Sequence, residues 1–375
     1  MSSFNLVQIL PSLESGGVER GTIDLANFLS QKKLSNHIIS NGGRLLEDVD
    51  VNFTHHYKLP VNSKNIFTYP YIAKKISKYL FNNNINIVHV RSRGPAWISS
   101  FLPTNNIKTV STFHNIYGGE SFIKKFYNKG MTKVNYIVAI SDYVKKEISN
   151  KYNIDPDRIF IINRGIDTDY FNDDVNANEK KFFLNKYNIQ DDQKIILYPG
   201  RITEWKGQYK FISKIDKINM KGRIILFAGD VSNVSHTNQL KMEIRNQKLT
   251  DKCKILGSLN DKELKIAYSL SDLVLSLPTR PEGFGRTISE TISMKKIILA
   301  KNIGGVFDQL KGLDEIYKIN VEEMDKLGEK VDQIMELQKN VKENIVTKGR
   351  NHVINNFSLQ NMVSNYFNFY EKISI

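Results

Sequence analysis

The 375-residue chain contains a single cysteine, Cys253, and no long apolar run. One cysteine cannot form an internal disulfide or a cysteine cluster for zinc, which fits a reducing compartment. No stretch reaches the roughly 18 consecutive apolar residues of a membrane span. The N-terminus also lacks the basic region of a signal peptide. These absences predict a cytoplasmic protein that is not exported through a signal peptide.

Acidic residues are in the minority, with 39 Asp and Glu against 53 Lys and Arg, and the net charge is +14. Such a charge attracts nucleic acid, anionic lipid headgroups or anionic substrates. A nucleic-acid binder should interleave stacking aromatics with cations along one face, and no such module is visible. The length and the 41% hydrophobic content suit two packed domains of similar size.

Apolar runs typical of strands alternate with helical patterns along the whole chain. This rhythm predicts an α/β protein with doubly wound parallel sheets, one in a domain over residues 1–172 and one in a domain over 173–357. In the first domain, strands are expected near Phe4–Leu10, Ile38, Val51, Ile85–Val90, Thr109–Phe113, Tyr136–Ile140 and Ile159–Ile162. In the second, they are expected at Ile195–Pro199, Ile224–Ala228, Lys254–Leu256, Leu273–Leu277 and Ile297–Ala300.

The stretch from Asp272 to Lys296 carries the first chemical signal. A buried strand stops at Pro278, and the loop Pro281–Gly285 opens a helix, which favours a phosphate near the free N–H groups of the helix start. Glu282 in this loop and Glu290 in the helix can face one pocket, and a carboxylate suits a vicinal diol such as that of ribose. Sugar and phosphate together indicate a nucleotide. The alternative is an ordinary strand-to-helix joint whose glutamates complement the helix dipole.

Cations and glycines follow other predicted strand ends. Arg201 and Lys206 span a strand-to-helix joint and can converge on one dianion, although such a pair can also be a solvated surface pair. Gly16 and Gly17 open the first helix without forming a dinucleotide fingerprint, and can equally be a simple tight turn. His114 stands at a strand end, where ligands bind on such sheets.

The Glu-Gly-Phe-Gly loop, the second glutamate and Gly304-Gly305 behind them resemble the family-4 (group 1) retaining glycosyltransferases. That family has the two-domain GT-B fold, in which two Rossmann-like domains face each other across a cleft. The resemblance implies an acceptor-side first domain, a donor-binding second domain, and a last helix at 358–375 that packs back on the first. It also implies a role for each motif: Glu290 for the donor ribose; Glu282, Gly283, Phe284 and Gly285 for the transferred sugar; Arg201 and Lys206 for the diphosphate; Gly16 and Gly17 opposite the diphosphate; His114 for the sugar or acceptor.

The activity implied by this resemblance is transfer of a sugar from a nucleotide-diphosphate sugar to a hydroxyl acceptor with retention. Arg201, Lys206, Glu282 and His114 are the expected catalytic residues, and no metal or other cofactor is expected. Asp167-Thr168-Asp169 matches a metal-binding pattern of a different glycosyltransferase fold, but its place after a glycine turn indicates turn and cap chemistry. Alternatives are a sugar-nucleotide epimerase or phosphorylase on the same fold, and a basic nucleic-acid-binding protein.

The acceptor expected from the resemblance is a cell-envelope polysaccharide, a lipopolysaccharide or a glycolipid. The basic segment Glu120–Lys133 is either a solvated helix with its apolar side packed inside or a helix on an anionic membrane surface, which would place the protein on the inner face of the membrane. Two departures from the family pattern stand near the main motif. Met294-Lys295-Lys296-Ile297 replaces the usual glycine and proline, and Asp308 stands where Glu is common.

Overall fold

The computed structural model describes residues 4–14, 16–103, 106–118, 121–215 and 218–374. Its chain divides into two compact units. Unit 1 comprises Met1–Gly165 together with Leu359–Ile375, and unit 2 comprises Ile166–Ser358. The sequence placed the domain boundary after residue 172, whereas unit 2 of the structure already begins at Ile166.

Unit 1 is built on a parallel sheet of seven strands in the order β3-β2-β1-β4-β5-β6-β7. The strands are β1 (Leu6–Ile9), β2 (Asn36–Ser40), β3 (Thr54–Lys58), β4 (Ile87–Val90), β5 (Lys108–Phe113), β6 (Tyr136–Ala139) and β7 (Ile159–Ile161). The inner strands β1 and β4 are buried along their whole length, as expected for strands covered on both faces.

The helices of unit 1 cover this sheet. They are α1 (Gly17–Gln31), α2 (Tyr69–Asn82), α3 (Arg93–Ser99), α4 (Phe122–Lys129), α5 (Asp142–Tyr152) and α14 (Leu359–Ser374), with 3₁₀ turns at Arg44–Asp48, Ile66–Thr68, Gly130–Thr132 and Pro156–Arg158. The apolar side of α14, including Met362, Tyr366 and Tyr370, packs in one cluster with Leu6 and Leu25. Each large side chain buried there contributes roughly 1.5–3 kcal/mol, so this packing holds the C-terminal helix on unit 1.

Unit 2 contains a parallel sheet of six strands in the order β10-β9-β8-β11-β12-β13. The strands are β8 (Lys194–Pro199), β9 (Arg223–Ala228), β10 (Cys253–Gly257), β11 (Leu273–Ser276), β12 (Ile298–Lys301) and β13 (Lys318–Ile319). In unit 1 the strand order reverses between β1 and β4, and in unit 2 between β8 and β11. Ligands on such sheets bind at the carboxyl ends of the strands beside this reversal.

The helices of unit 2 connect and cover its strands. They are α6 (Ala177–Lys186), α7 (Gln208–Ile212), α8 (Val234–Asn246), α9 (Asp261–Leu270), α10 (Arg286–Ser293), α11 (Gly305–Leu310), α12 (Leu327–Met335) and α13 (Lys339–Phe357), with 3₁₀ turns at Glu204–Lys206, Glu315–Tyr317 and Val321–Lys326. None of the helices in the described parts of the chain is long and apolar enough to cross a membrane.

The predicted doubly wound parallel sheets are confirmed in both units. Two edge strands were misjudged. The strand expected near Val51 begins only at Thr54, because Val51 lies in a turn with 75% of its surface exposed. The edge strand β13 was missed, since two residues carry no readable periodicity.

Candidate active site

The polar motifs of unit 2 meet beside the reversal of its strand order. Strand β8 ends at Pro199 and leads through Arg201 to the 3₁₀ turn that contains Lys206. The neighbouring strand β11 ends at Ser276 and leads into the loop that carries Glu282. Because the carboxyl ends of paired parallel strands share one edge, the two motifs lie side by side although they are far apart in sequence.

Lys206 and Glu282 form an ion pair at this edge. Lys206 Nζ lies 2.6 Å from Glu282 Oε1, and the two side chains are only 17% and 11% exposed. The ammonium group also lies 4.6 Å from the centre of the Trp205 ring. The hydroxyl of buried Tyr198 donates to the carbonyl of Lys206 at 2.7 Å, which fixes the turn. This direct pair was not predicted from the sequence.

Arg201 is exposed at the same edge. Within the described residues its guanidinium forms no hydrogen bond or ion pair, while its carbonyl accepts from the side chain of Gln208 at 3.1 Å. The pKa of Asp230 is lowered mainly by hydrogen bonds from Ser232, and Arg201 adds a smaller electrostatic effect. Arg201 therefore keeps its N–H donors for a ligand.

Glu290 is buried in α10 and held by two partners. Arg286 Nη2 lies 2.8 Å from Glu290 Oε1, one helical turn away. The hydroxyl of Tyr268, at the end of α9, donates to Oε2 at 3.0 Å. Burial first, and then the Glu290 carboxylate, raises the pKa of Tyr268 well above its usual value, so the phenol stays a donor. Sequence reasoning missed Tyr268 because it comes from a different element.

The loop between the two glutamates is fixed by its own neighbours. The N–H of Gly305 donates to the carbonyl of Glu282 at 2.8 Å, and a side chain at Gly305 would clash with the carbonyl of Gly283. The amide of buried Gln309 donates to the carbonyl of Phe284. Gln309 was also missed, although it lies close behind the Gly304-Gly305 pair that the sequence singled out.

Phe284 and Gly285 have structural roles in this loop. The Phe284 ring is buried and packs edge-on against Phe357 with 5.7 Å between ring centres. Gly285 has φ +87° at the N-cap of α10, in the left-handed region that favours glycine. Only the main chain of Phe284 can therefore take part in the predicted sugar contact.

No hydrogen bond joins Glu282 to Glu290 among the described residues. Glu282 pairs with Lys206, whereas Glu290 pairs with Arg286 and Tyr268. The expectation that both carboxylates face one ligand stays a prediction, as do the individual roles assigned to the site residues.

The predicted site residues of unit 1 lie at the carboxyl edge of its own sheet. Gly16, with φ +121°, is the N-cap of α1, and Arg164 donates to the carbonyl of Gly17; Ser15 lies outside the described residues. His114 follows β5, and neither of its ring nitrogens has a hydrogen-bond partner in the described structure. Burial, followed by the charges of Arg164 and Arg91, holds the pKa of His114 well below its usual value. The imidazole is therefore neutral at physiological pH.

The Asp-X-Asp pattern is turn chemistry, as predicted. Asp167 Oδ1 accepts from the N–H groups of Asp169 at 3.0 Å and Tyr170 at 2.8 Å. Over the residues that the structure describes, no group of three or more His, Cys, Asp or Glu side chains is arranged to hold a metal ion. The expectation that no metal or cofactor is needed stays a prediction.

Two protein-family models match most of the chain. Residues 15–170 match the Glycosyltransferase Family 4 model, and residues 179–352 match the Glycosyl transferases group 1 model. A solved glycosyltransferase from Rickettsia africae ESF-5 is 36% identical, covers 99% of this chain and 98% of its own, and superposes with a TM-score of 0.87. The chain is a family-4, group 1 glycosyltransferase.

More distant relatives of this glycosyltransferase also match over its full length. The uncharacterized glycosyltransferase MJ1607 of Methanocaldococcus jannaschii is 22% identical over 95% of this chain and 94% of its own. Anabaena Alr3699/HepE, solved in complex with UDP and glucose, is 14% identical over 98% of this chain and all of its own, with a TM-score of 0.81. The predicted GT-B fold is thereby confirmed for the glycosyltransferase.

Proposed function

We propose that this glycosyltransferase moves a sugar from a nucleoside diphosphate sugar to a hydroxyl acceptor, with retention at the anomeric carbon. The observation that carries the proposal is the edge of unit 2 where Lys206 meets Glu282 beside the accessible Arg201. Two cations and a carboxylate at the strand-order reversal suit a diphosphate joined to a polyhydroxyl group. The fold shared with an Anabaena protein that binds UDP and glucose supports this donor class.

The Lys206–Glu282 pair can serve donor binding without breaking. A lysine ammonium has three N–H donors, so Lys206 can hold Glu282 and a phosphate oxygen together. Glu282 in turn keeps lone pairs that accept hydrogen bonds from sugar hydroxyls. Arg201 adds a planar pair of donors for the other phosphate oxygens. The pair thereby links the leaving group to the sugar that is transferred.

Glu290 is proposed to hold the ribose. Its two oxygens each accept one bond, from Arg286 and Tyr268, and a carboxylate has about four acceptor positions. Two positions therefore remain for the two hydroxyls of a vicinal diol. Buried Tyr268, together with Arg286, also fixes the orientation of the carboxylate before a nucleotide arrives, which reduces the entropy lost on binding.

The proposed reaction needs no carboxylate nucleophile. The acceptor oxygen forms a bond to the anomeric carbon while the bond from that carbon to the diphosphate breaks. The departing diphosphate receives the acceptor's proton on the same face of the sugar, which retains the configuration. Arg201, Lys206 and the loop amides stabilise the growing negative charge, so the rate comes mostly from positioning and electrostatics. Neutral His114 is proposed as a hydrogen-bond partner for the sugar or acceptor.

The acceptor is proposed to be a cell-envelope polysaccharide, a lipopolysaccharide or another glycolipid. Support comes from α4, where Phe122 and Ile123 are 83% and 79% exposed. Lys124, Lys125 and Lys129 are exposed on the same helix. Of the two readings left open by the sequence, these exposures favour contact with an anionic membrane surface. The helix is described from residue 121 onward, so Glu120 lies outside the described residues.

The test begins with a thermal-shift screen of the wild type against nucleotide sugars, because a ligand at a hundred times its Kd adds about 2.7 kcal/mol of stability. Donor hydrolysis and transfer are then measured in Arg201→Ala and Lys206→Ala, and NMR coupling assigns the anomer of the product. By analogy with removal of one oxyanion donor, each variant should lose about a hundredfold or more in kcat.

Lys262→Ala is the matched control, since Lys262 is an exposed lysine of the same unit whose partner is Glu179. It should turn over at the wild-type rate. Wild-type rates in both site variants would remove the diphosphate role of the cations, and a product of inverted configuration would remove the retaining mechanism.

A further inference from the structure

Unit 1 contains a positively charged recess that the mechanism above does not use as a whole. It lies where the strand order reverses, beside the carboxyl ends of β1 and β4. The recess is small and partly open to solvent. Its polar lining consists of Arg91, His114, Arg164 and Tyr366, and Gly17 closes one side. None of the described lining residues is acidic.

Arg91 is a buried charge held by neutral partners. The side chain is 2% exposed. Its Nε donates to Gln8 Oε1 at 3.1 Å, its Nη1 donates to the Tyr366 hydroxyl at 3.3 Å, and its guanidinium lies 4.9 Å from the centre of the Tyr366 ring. Within the described residues no carboxylate pairs with it. Burying an uncompensated charge is costly, so its presence beside a recess points to a charge supplied from outside.

Arg164 brings a second guanidinium to the same place. It donates to the carbonyl of Gly17, and a Cβ at Gly17 would lie 2.6 Å from Arg164 Nη2. A side chain at position 17 would therefore displace the guanidinium from this place. Gly17 is also the first residue of the 15-residue helix α1, whose N-terminal dipole adds to the positive potential.

His114 completes the recess. Both of its ring nitrogens are buried without a hydrogen-bond partner in the described structure. Such orphaned buried polar atoms are rare in folded proteins and need an explanation. Arg91, Arg164 and His114 all line this recess, so the three groups converge on one place. A bound oxyanion would accept from both guanidinium groups and from one imidazole N–H.

We propose that this recess binds an anionic group, a carboxylate or a phosphate, that is distinct from the donor diphosphate. The group would be carried by the acceptor or by the transferred sugar. That assignment to a substrate rests on the proposed function, whereas anion binding itself does not. Recognition of this kind would restrict the enzyme to a substrate that carries a negative charge.

The first experiment measures binding without catalysis. The wild-type protein is titrated with inorganic phosphate, and separately with glucuronate, while the His114 ring signals are followed by NMR; His114→Gln assigns them. A saturable shift with either probe is expected. Arg91→Gln and Arg164→Gln should each weaken that binding about tenfold or more, because each removes a charged donor to the anion.

Arg93→Gln is the matched control. Arg93 stands next to the same strand end, but its guanidinium lies over the rings of Tyr117 and Tyr127, at 4.6 and 5.4 Å, and does not line the recess. This variant should bind the probes as the wild type does. If Arg91→Gln fails to fold, Arg164→Gln and the wild-type titration still decide. No saturable shift in the wild type, or equal weakening in Arg93→Gln, would overturn the proposal.

Competition then identifies the source of the anion. UDP should leave phosphate bound in the recess, and displacement of phosphate by UDP would overturn the distinction from the diphosphate. If the transferred sugar carries the charge, UDP-glucuronate should bind more tightly than UDP-glucose, and Arg164→Gln should abolish that difference. If the acceptor carries it, phosphate should raise the KM for the acceptor in the wild type, and Arg164→Gln should reduce that effect. If the Arg201 and Lys206 variants disprove the proposed function, phosphate should still bind in the recess. The two failures are therefore distinguishable.

Discussion

Glu290 owes its orientation to residues that lie outside its own motif. Arg286 is one helical turn away, so its contact follows from helical spacing. Tyr268 reaches the same carboxylate from α9, an approach that no local pattern reveals. The tyrosine keeps its proton, because burial and the neighbouring carboxylate raise its pKa. It therefore acts as a positioning residue for the proposed ribose contact.

Removal of the Tyr268 hydroxyl tests this positioning. Tyr268→Phe retains the ring in its buried site but deletes a donor to a charged acceptor, which contributes about 1.5–3 kcal/mol. We expect UDP to bind about tenfold more weakly, as measured by calorimetric titration, and the free energy of unfolding to fall by about 1.5–3 kcal/mol, as measured by denaturation. Tyr317→Phe is the control, since this buried hydroxyl of unit 2 donates to the Ile345 carbonyl instead. Equal UDP affinity in the wild type and Tyr268→Phe would contradict the role.

At the residue scale, the sequence indicated those groups that belong to a local motif. Glu282, Glu290, Arg201 and Lys206 stand at fixed places after strands, so their types and spacing were informative. The partners Tyr268 and Gln309 were missed because an ordinary tyrosine or glutamine gains its meaning only from tertiary contact. The Lys206–Glu282 pair was likewise invisible, since the order of β8 and β11 in the sheet brings it together.

The end of α10 shows a local conflict between residue type and backbone. The N–H of Lys296 donates to the Thr291 carbonyl and that of Lys295 to the Ile292 carbonyl, the two bonds of a Schellman motif. Lys295 occupies the left-handed position of this motif, with φ +52°. The family pattern noted in the sequence has glycine in this segment. Lysine there carries a steric cost that glycine avoids.

Substitution of Lys295 should expose that cost. Lys295 pairs with Asp173 at 3.2 Å, but both side chains are well exposed, so the pair contributes little. Lys295→Gly and Lys295→Ala both remove the pair, and only glycine relieves the backbone. We expect Lys295→Gly to be about 1 kcal/mol more stable than Lys295→Ala, measured from the denaturant midpoint of the transition that unfolds unit 2. Equal midpoints would show that the helix end is not strained.

Elements in the middle of each sheet were predictable, whereas two of the edge strands, β3 and β13, were misplaced or missed. Strands β8 and β11 are buried runs of branched apolar residues, which the pattern identifies clearly. Strand β3 carries His55, His56 and Tyr57 on an edge, and β13 has two residues. Edge strands bury less apolar surface, so their sequences retain less of the periodicity on which the prediction depends.

At the scale of the whole molecule, the same architecture occurs twice and each copy places its polar groups at the reversal of strand order. This regularity explains why the fold followed from the sequence. The net charge of +14 was less informative, because it does not identify which surface carries the positive charge. In the structure, such a surface lies on α4 of unit 1, where exposed aromatic and aliphatic side chains stand among exposed lysines.

That surface gives a prediction about membranes. Phe122 and Ile123 would enter the headgroup region, while each lysine near an anionic leaflet adds about 1 kcal/mol. Replacing an exposed Phe by Ser removes apolar burial of roughly 1.5–3 kcal/mol. Phe122→Ser should therefore reduce co-sedimentation with vesicles that contain phosphatidylglycerol about tenfold, and neutral phosphatidylcholine vesicles should bind the wild type weakly.

Phe182→Ser distinguishes a specific membrane-binding surface from nonspecific binding to vesicles. Phe182 is 72% exposed on α6 of unit 2, next to Lys180 and Lys181, so it matches Phe122 in size, exposure and flanking charge. If α4 contacts the membrane, only the Phe122 substitution should lower binding to anionic vesicles, and added salt should weaken the wild type further by screening the lysines. Equal losses in the two variants would assign the binding to net charge and exposed apolar area in general, and α4 would then have no special role at the membrane.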